Sequence, residues 1–234
     1  MSENKLDIRV YPLDAPQGST KAFASAAFDD TVAIRGIRVV ESEKGLFVTM
    51  PQSRDRKTNE YHDTAFPVNG DLRREMNRAV LEEYDRISAL APDQRSYGKP
   101  DTEPANAKNA ADVKIDIRVF PLNEPKGSTK AFANVTIDDT IAIRGVRVVE
   151  SEKGLFAAMP QSQDRDGKYH DIAFPINGEL RKAITKAVLD EYSGAEKTNC
   201  KSLADSLRQG AERAAENTAV SRDPSAKSRT EIMG

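Results

Sequence analysis

Cysteine and histidine are scarce in this chain of 234 residues, which contains one cysteine and two histidines. Cys200 has no second cysteine with which to form an internal disulfide, and this fits a protein kept in a reducing compartment. His62 and His170 lie far apart in the sequence, and one histidine without a cysteine partner is too few for ordinary zinc ligation. We therefore expect no bound metal.

Long apolar runs and targeting signals are absent as well. No run approaches the ~20 apolar residues of a transmembrane helix, and Met1-Ser2-Glu3-Asn4 lacks the basic and apolar regions of a signal peptide. The glycines are isolated, so no phosphate-binding glycine-rich loop is present. We expect a cytoplasmic protein that has no membrane contact and no cofactor.

An excess of charge of either sign is also missing. The chain has 35 basic and 37 acidic residues; residues 5–87 hold 13 and 14 of these, and residues 114–195 hold 12 and 12. Near-neutral segments argue against a non-specific coat on nucleic acid, although a local basic face remains open.

The sequence does contain a long internal duplication. Val39 to Phe47 returns unchanged as Val148 to Phe156, and roughly two-thirds of the positions in residues 5–87 are identical in residues 114–195. A period this long is not that of a solenoid repeat, so each copy is predicted to be a small domain.

Two segments lie outside the copies. Residues 88–113 contain three prolines and a glycine and are predicted to be a flexible linker. Residues 196–234 carry small apolar residues at helical spacing and are predicted to be weakly helical to disordered.

Apolar periodicity predicts an antiparallel sheet followed by a helix in each copy. Leu6, Ile8 and Val10 alternate with polar residues, as in a half-buried strand. In the strand over 31–41 the alternation slips by one residue at Gly36, which predicts a glycine bulge. Asn69 is a predicted N-cap for a helix over 70–87. The fold class is α+β: two similar domains, each an antiparallel β-meander packed with a C-terminal α-helix.

The order of several short motifs indicates a family. In the first copy they are Asp29-Asp30, the bulged strand, Gly45-Leu46-Phe47-x-x-Met50-Pro51, the hairpin ending in Asp63, Phe66-Pro67-x-Asn69, and Ala79-Val80-Leu81-x-Glu83-Tyr84. With these motifs the chain resembles the SpoVG family (stage V sporulation protein G, septation protein) over residues 5–87 and again over 114–195. No single motif is decisive, but their order and spacing are specific.

The resemblance implies a cytoplasmic bacterial protein, usually a homodimer, that is linked to septum formation, sporulation and regulation by direct binding of DNA and RNA. If single-copy relatives pair, the two copies here are expected to pair with each other as a pseudo-dimer. The chain departs from the family pattern at Arg35-Gly36 and Arg144-Gly145, where the family usually has His-Asp. It departs again at Phe66, where the family has histidine in Ala-His-Pro.

The polar side of the helix is the main candidate for binding nucleic acid. Its cations are Arg73, Arg74 and Arg78 in the first copy and Arg181, Lys182 and Lys186 in the second. Positive charge is kept while its type changes, which suits contact with phosphate better than bidentate base recognition. The alternative is an ordinary solvated helix face that is balanced by nearby glutamates.

The hairpin after Pro51 is a second candidate. It supplies Arg54 and Arg56 in the first copy and Arg165 in the second, and the two hairpins differ in length. An exposed tip of this kind could reach a groove or a partner, or be an ordinary polar hairpin.

Catalysis and base stacking have little support in the sequence. His62 stands beside Asp63, but adjacent strand residues point to opposite faces, so this pair does not form a general base. We therefore predict that the chain is not an enzyme. Recurring aromatics such as Phe66 and Tyr84 suit core or turn packing, and no exposed aromatic ladder is expected.

Two hypotheses of function follow. The first is a nucleic-acid-binding regulator, of DNA or RNA, built from two SpoVG-like domains. The second is a non-enzymatic interaction module in cell division or assembly, which binds a division or regulatory protein through sheet edges and the hairpin.

Overall fold

The computed structural model describes residues 5–55, 58–95, 109–164 and 166–196. It contains two similar halves, and each has an antiparallel β-sheet and a helix, in agreement with the predicted fold class. No helix in these ranges is long and apolar enough to cross a membrane.

The first half contains seven strands and one helix. They are β1 Leu6–Gln17, β2 Thr20–Phe28, β3 Val32–Ser42, β4 Gly45–Thr49, β5 Gln52–Arg54, β6 Tyr61–Asp63, β7 Ala65–Pro67 and α1 Gly70–Ser88. The first four strands form the body of a sheet, and β5 and β6 form a separate two-stranded hairpin.

The second half repeats this order. Its elements are β8 Ile115–Lys126, β9 Thr129–Ile137, β10 Ile141–Ser151, β11 Gly154–Ala158, β12 Gln161–Gln163, β13 Tyr169–Asp171, β14 Ala173–Pro175 and α2 178–196. Here β12 and β13 form the hairpin.

Each sheet receives one strand from the other half. β14 pairs antiparallel with β3, and Phe174 lies opposite Ala33. β7 pairs antiparallel with β10, and Phe66 lies opposite Ala142. The two copies therefore pair within the chain, and they do so by a reciprocal exchange of three-residue strands.

The predicted glycine bulge is confirmed in both sheets. Gly36 has φ +76° and Gly145 has φ +77°, and the pairing of β2 with β3 shifts beside Gly36. The shift returns Ile37 to the buried face that Ile34 also occupies. It also divides one edge of β3, because residues before the bulge pair with β14 and residues after it pair with β4.

Each helix buries one apolar stripe. Leu72, Met76 and Val80 of α1 are buried, and α1 packs mainly against β1 of its own half. The matching buried residues of α2 are Leu180, Ile184, Val188 and Tyr192. Burial of each large apolar side chain contributes about 1.5–3 kcal/mol, so these contacts are the main attachment of helix to sheet.

One hydrophobic core serves both halves. Ala65 and Ala173, from the exchanged strands, are 0% exposed and belong to the same cluster as Ile34 and Ile143 of the sheets. The described residues up to 192 accordingly form one compact unit.

The connection between the halves is described at its two ends. A 3₁₀ turn over Pro92–Gln94 follows α1, and Arg95 then donates to Asp14 at 3.0 Å. A second turn over Ala110–Asp112 precedes Val113, which is buried. The middle of the predicted linker, 96–108, and residues 197–234 of the predicted tail lie outside the described residues.

Candidate nucleic-acid interface

Asp63 joins the hairpin to the start of α1. Its Oδ2 accepts a hydrogen bond from Nη2 of Arg73 at 2.7 Å, and its Oδ1 accepts one from Nε2 of Gln52 at 3.0 Å. Arg73 lies on the first turns of the helix and Gln52 on β5, so one carboxylate holds both elements. Arg73 therefore positions the hairpin against the helix.

The second half has the same connection. Asp171 accepts from Arg181 at 2.6 Å and from Gln161 at 2.9 Å. Two of the six predicted helix cations, Arg73 and Arg181, thus have a positioning contact that the sequence did not reveal. The same contacts hold each hairpin at the first turns of its helix.

The helices begin at well-formed caps. The side chain of Asn69 accepts from the backbone N–H of Asp71 at 2.8 Å, as predicted, and Asn177 accepts from Glu179 N at 2.7 Å. An acidic residue in each first turn lies where the helix dipole favours negative charge. Both helices therefore begin with one of their first backbone N–H groups satisfied by a side chain.

The other helix cations project into solvent. The side chains of Arg74, Arg78 and Lys182 are 76%, 72% and 81% exposed. Lys186 is exposed as well. These four residues form what we call the helix cation face.

Three members of the helix cation face have acidic neighbours on their own helix. Arg74 pairs with Asp71, Arg78 lies 3.7 Å from Glu82, and Lys182 lies 3.6 Å from Glu179. Exposed ion pairs of this kind typically contribute about 0–1 kcal/mol. These pairs can therefore be broken at little cost in free energy.

The two hairpins differ in charge. Arg54 is exposed on β5 opposite Tyr61, whereas the matching Gln163 donates to the carbonyl of Gly167 at 3.0 Å. The predicted site residues Arg56 and Arg165 lie outside the described residues. In the part that is described, the first hairpin thus carries an arginine that the second lacks.

The histidines are engaged in the hairpins. His170 Nε2 lies 2.7 Å from Asp164, and this hydrogen bond, with one from the Lys168 backbone, holds the pKa of Asp164 below its ordinary value. His62 lies 3.8 Å from Glu60, while the neighbouring Asp63 is held by Arg73. Within the described ranges no three histidine, cysteine or acidic side chains gather as a metal site.

One expectation from the sequence is wrong: aromatic side chains are exposed on the sheets. Phe23 and Phe47 are each 43% exposed, and Phe132 and Phe156 are 40% and 43% exposed in the second half. The sequence contains a signal for this exposure, because Phe23 alternates with the small residues Ala22 and Ala24. Both alanines are buried. The small residues face the helix, so the phenylalanine points to the other side.

Comparison with known proteins identifies relatives of each copy. The family model SpoVG matches residues 4–86 and again 113–194. A protein of Caldanaerobacter subterraneus is 40% identical over 84 residues, which is 36% of this chain and 91% of that protein. A protein of Lachnospira eligens is 43% identical over 81 residues, 35% of this chain and 91% of that protein. Both carry the name "Putative septation protein SpoVG".

Proposed function

Because this chain belongs to the SpoVG family, we propose that it is a non-enzymatic regulatory protein that binds DNA or RNA and acts in septation or a sporulation-like process. The helix cation face, Arg74, Arg78, Lys182 and Lys186, makes the contact with phosphate. Arg54 of the neighbouring hairpin adds to it in the first half, and Arg73 and Arg181 hold the hairpins in place.

The observation that carries the proposal is the repetition of exposed cations on both helices. Arg78 and Lys186 occupy matching places one helical turn beyond Arg74 and Lys182. All four are exposed. Sequence-independent binding of nucleic acid requires cations that can approach phosphates, and these side chains meet that requirement.

The chemistry of these positions favours phosphate over base recognition. The planar guanidinium of arginine suits bidentate recognition of a base edge, and the point charge of lysine is not equivalent to it at such a site. Arg74 and Arg78 correspond to Lys182 and Lys186, so at these two positions the helices have only positive charge in common. Phosphate contacts need only charge.

The test is a titration with the charge of one site reversed. Arg78→Glu combined with Lys186→Glu should weaken the binding of labelled DNA and RNA and reduce the dependence of affinity on salt, because fewer counterions are released. Fluorescence polarisation at several salt concentrations measures both effects.

A charge-matched control separates this effect from that of net charge. Lys44 and Lys153 are exposed in the turns that follow β3 and β10, and Lys44→Glu with Lys153→Glu changes the net charge by the same amount. Equal binding by wild type and both variants would contradict the proposal. Equal weakening by both variants would show that net charge, rather than the helix cation face, governs binding.

The hairpins favour a second candidate function, a contact with a protein of division or assembly. Tyr61 and Tyr169 are 63% and 65% exposed, and Tyr61 lies opposite Arg54. Tyrosine and arginine are enriched in protein interfaces. A protein that is captured by wild type after nuclease treatment, and lost with Tyr61→Ala and Tyr169→Ala, would support this function.

A further inference from the structure

Each sheet has an outer face, the side turned away from the helix that covers the core. In the first half, Tyr11 lies opposite Phe23, Phe23 opposite Arg38, and Phe47 opposite Val40 on the next strand. Residues directly opposite each other in a sheet point to the same side. Arg38 and Val40 are two residues apart on β3 and share a side, so these residues lie on one face of four strands.

The exchanged strand extends this outer face. Phe174 of β14 lies opposite Ala33 at the edge of β3, and the guanidinium of Arg35 lies over its ring at 4.5 Å. Arg35 and Phe174 come from different copies, so the exchange builds part of the surface. The outer face combines the exposed rings of Phe23 and Phe47 and the partly buried rings of Tyr11 and Phe174 with Arg35 and Arg38.

The second half contains the same combination. Its members are Phe120, Phe132, Phe156, Phe66, Arg144 and Arg147, with Arg144 over the ring of Phe66 at 4.8 Å. All six positions keep their chemical type between the copies. Two neighbours on the same face do not, since Ser25 and Ala27 correspond to Asn134 and Thr136.

We infer that the outer face of each sheet is a second nucleic-acid site, which takes single strands. Exposed aromatic rings stack with unpaired bases, and arginines beside them contact the phosphates. The bases of a duplex are stacked on each other and cannot reach a flat sheet in this way. This site differs from the helix cation face, because the helix lies on the other side of the sheet and its cations contact only phosphates.

A protein partner is the competing occupant of an exposed aromatic face. The arginines favour nucleic acid over a protein as the occupant, because Arg38 lies directly opposite Phe23 and Arg35 lies over the ring of Phe174. In the first half, Asp7 on this face is paired with Arg9 at 3.0 Å. Positive charge among the rings complements a phosphate backbone.

The inference is tested by replacing one exposed phenylalanine in each half with leucine, which removes the aromatic ring and keeps an apolar side chain on the sheet. Phe23→Leu with Phe132→Leu should weaken the binding of a labelled oligouridine about tenfold per ring, and should leave the binding of a duplex of equal length unchanged. Thermal unfolding followed by circular dichroism verifies that the variant is folded. A leucine at these exposed positions keeps most of the apolar contact with neighbouring strands.

Tyr61→Leu with Tyr169→Leu is the matched control, since it removes two exposed rings that lie on the hairpins. Unchanged single-strand binding in this control, with loss in the sheet variant, supports the site. Equal loss in both variants, no loss in the sheet variant, or a wild type that binds only duplex would overturn it.

Ultraviolet crosslinking to 4-thiouridine oligonucleotides should label the tryptic peptides that contain Phe23 or Phe132, and labels confined to the helices would also contradict the inference.

Charge reversal at the helix distinguishes the two sites. If Arg78→Glu with Lys186→Glu weakens duplex binding, and the sheet variant weakens single-strand binding but not duplex binding, both sites exist. If the helix variant binds like wild type but the sheet variant loses single-strand binding, the helix proposal fails and the outer face remains.

Discussion

The guanidinium of Arg35 lies over the ring of Phe174, and the two residues come from different copies of the duplicated sequence. The reciprocal pair is Arg144 over Phe66. Arginine and phenylalanine stand at the positions where the family resemblance leads us to expect histidines. These departures from the family pattern are therefore two sides of one contact between the copies.

This contact should be measurable as a coupling energy. In a double-mutant cycle with Arg35→Met and Phe174→Leu, we expect the two substitutions to be coupled by about 0.5–1 kcal/mol, the usual value for an exposed cation–π pair. Urea unfolding of the four proteins measures it. Arg35→Met with Phe66→Leu is the control, because Phe66 lies under Arg144, and this pair should be additive within about 0.5 kcal/mol. Additivity of Arg35 with Phe174 would mean that the stacking does not stabilise the exchange.

The exchange itself could not be predicted from the sequence. The exchanged strands, Ala65–Pro67 and Ala173–Pro175, have identical sequences, and the segments that receive them, Val32–Ile34 and Ile141–Ile143, differ only at the first residue. Either strand could pair with either receiver. The local sequences therefore do not determine which edge each strand joins.

Local features were predictable because short-range chemistry determines them. The phase slip at Gly36 and the cap at Asn69 each follow from a few neighbouring residues. The helix cations were predicted by position, but the ion pair of Arg73 with Asp63 depends on where the hairpin folds back. The aromatic outer face departs from the expectation because Phe23 alternates with buried alanines and so lies on the opposite side of β2.

Both bulge glycines should be sensitive to alanine. Gly36→Ala and Gly145→Ala should each lower the free energy of unfolding by roughly 1–2 kcal/mol, because φ near +76° is unfavourable for L-residues. A new Cβ at Gly36 would meet Pro51 at 3.7 Å, and one at Gly145 would meet nothing within 4 Å. The costs should therefore be similar, since neither arises from a clash.

Gly178→Ala is the control for these glycines. Gly178 begins α2, and an added Cβ would meet nothing within 4 Å. Alanine there should be stabilising, by about 0.4–1 kcal/mol. Urea unfolding of the three variants checks all the values, and a neutral effect at Gly36 would show that the bulge can form without a positive φ.

The second hairpin should respond to pH through Asp164. Its pKa is held below the ordinary value by His170 first and the Lys168 backbone second. A carboxyl whose pKa is lowered by folding stabilises the folded hairpin above its ordinary pKa, and this contribution is lost as the pH falls through the lowered pKa. His170→Leu should move the pKa of Asp164 part of the way back up, as measured by NMR titration of the side-chain carboxyl. His62→Leu, in the other hairpin, should leave it unchanged.

Cutting the chain between its halves should not separate them. With a protease site placed within residues 96–108, the two fragments should elute together in gel filtration, because each supplies a strand to the other's sheet. Backbone hydrogen bonds join the fragments at Arg35 N to Ile172 O and Arg144 N to Thr64 O, both 2.7 Å.

The control is the same cut in a chain with Ala65→Asp and Ala173→Asp. A charge at these fully buried positions disfavours the exchanged pairing. The control fragments should separate, and separation of the wild-type fragments would show that the exchange is too weak to hold the halves without the covalent connection.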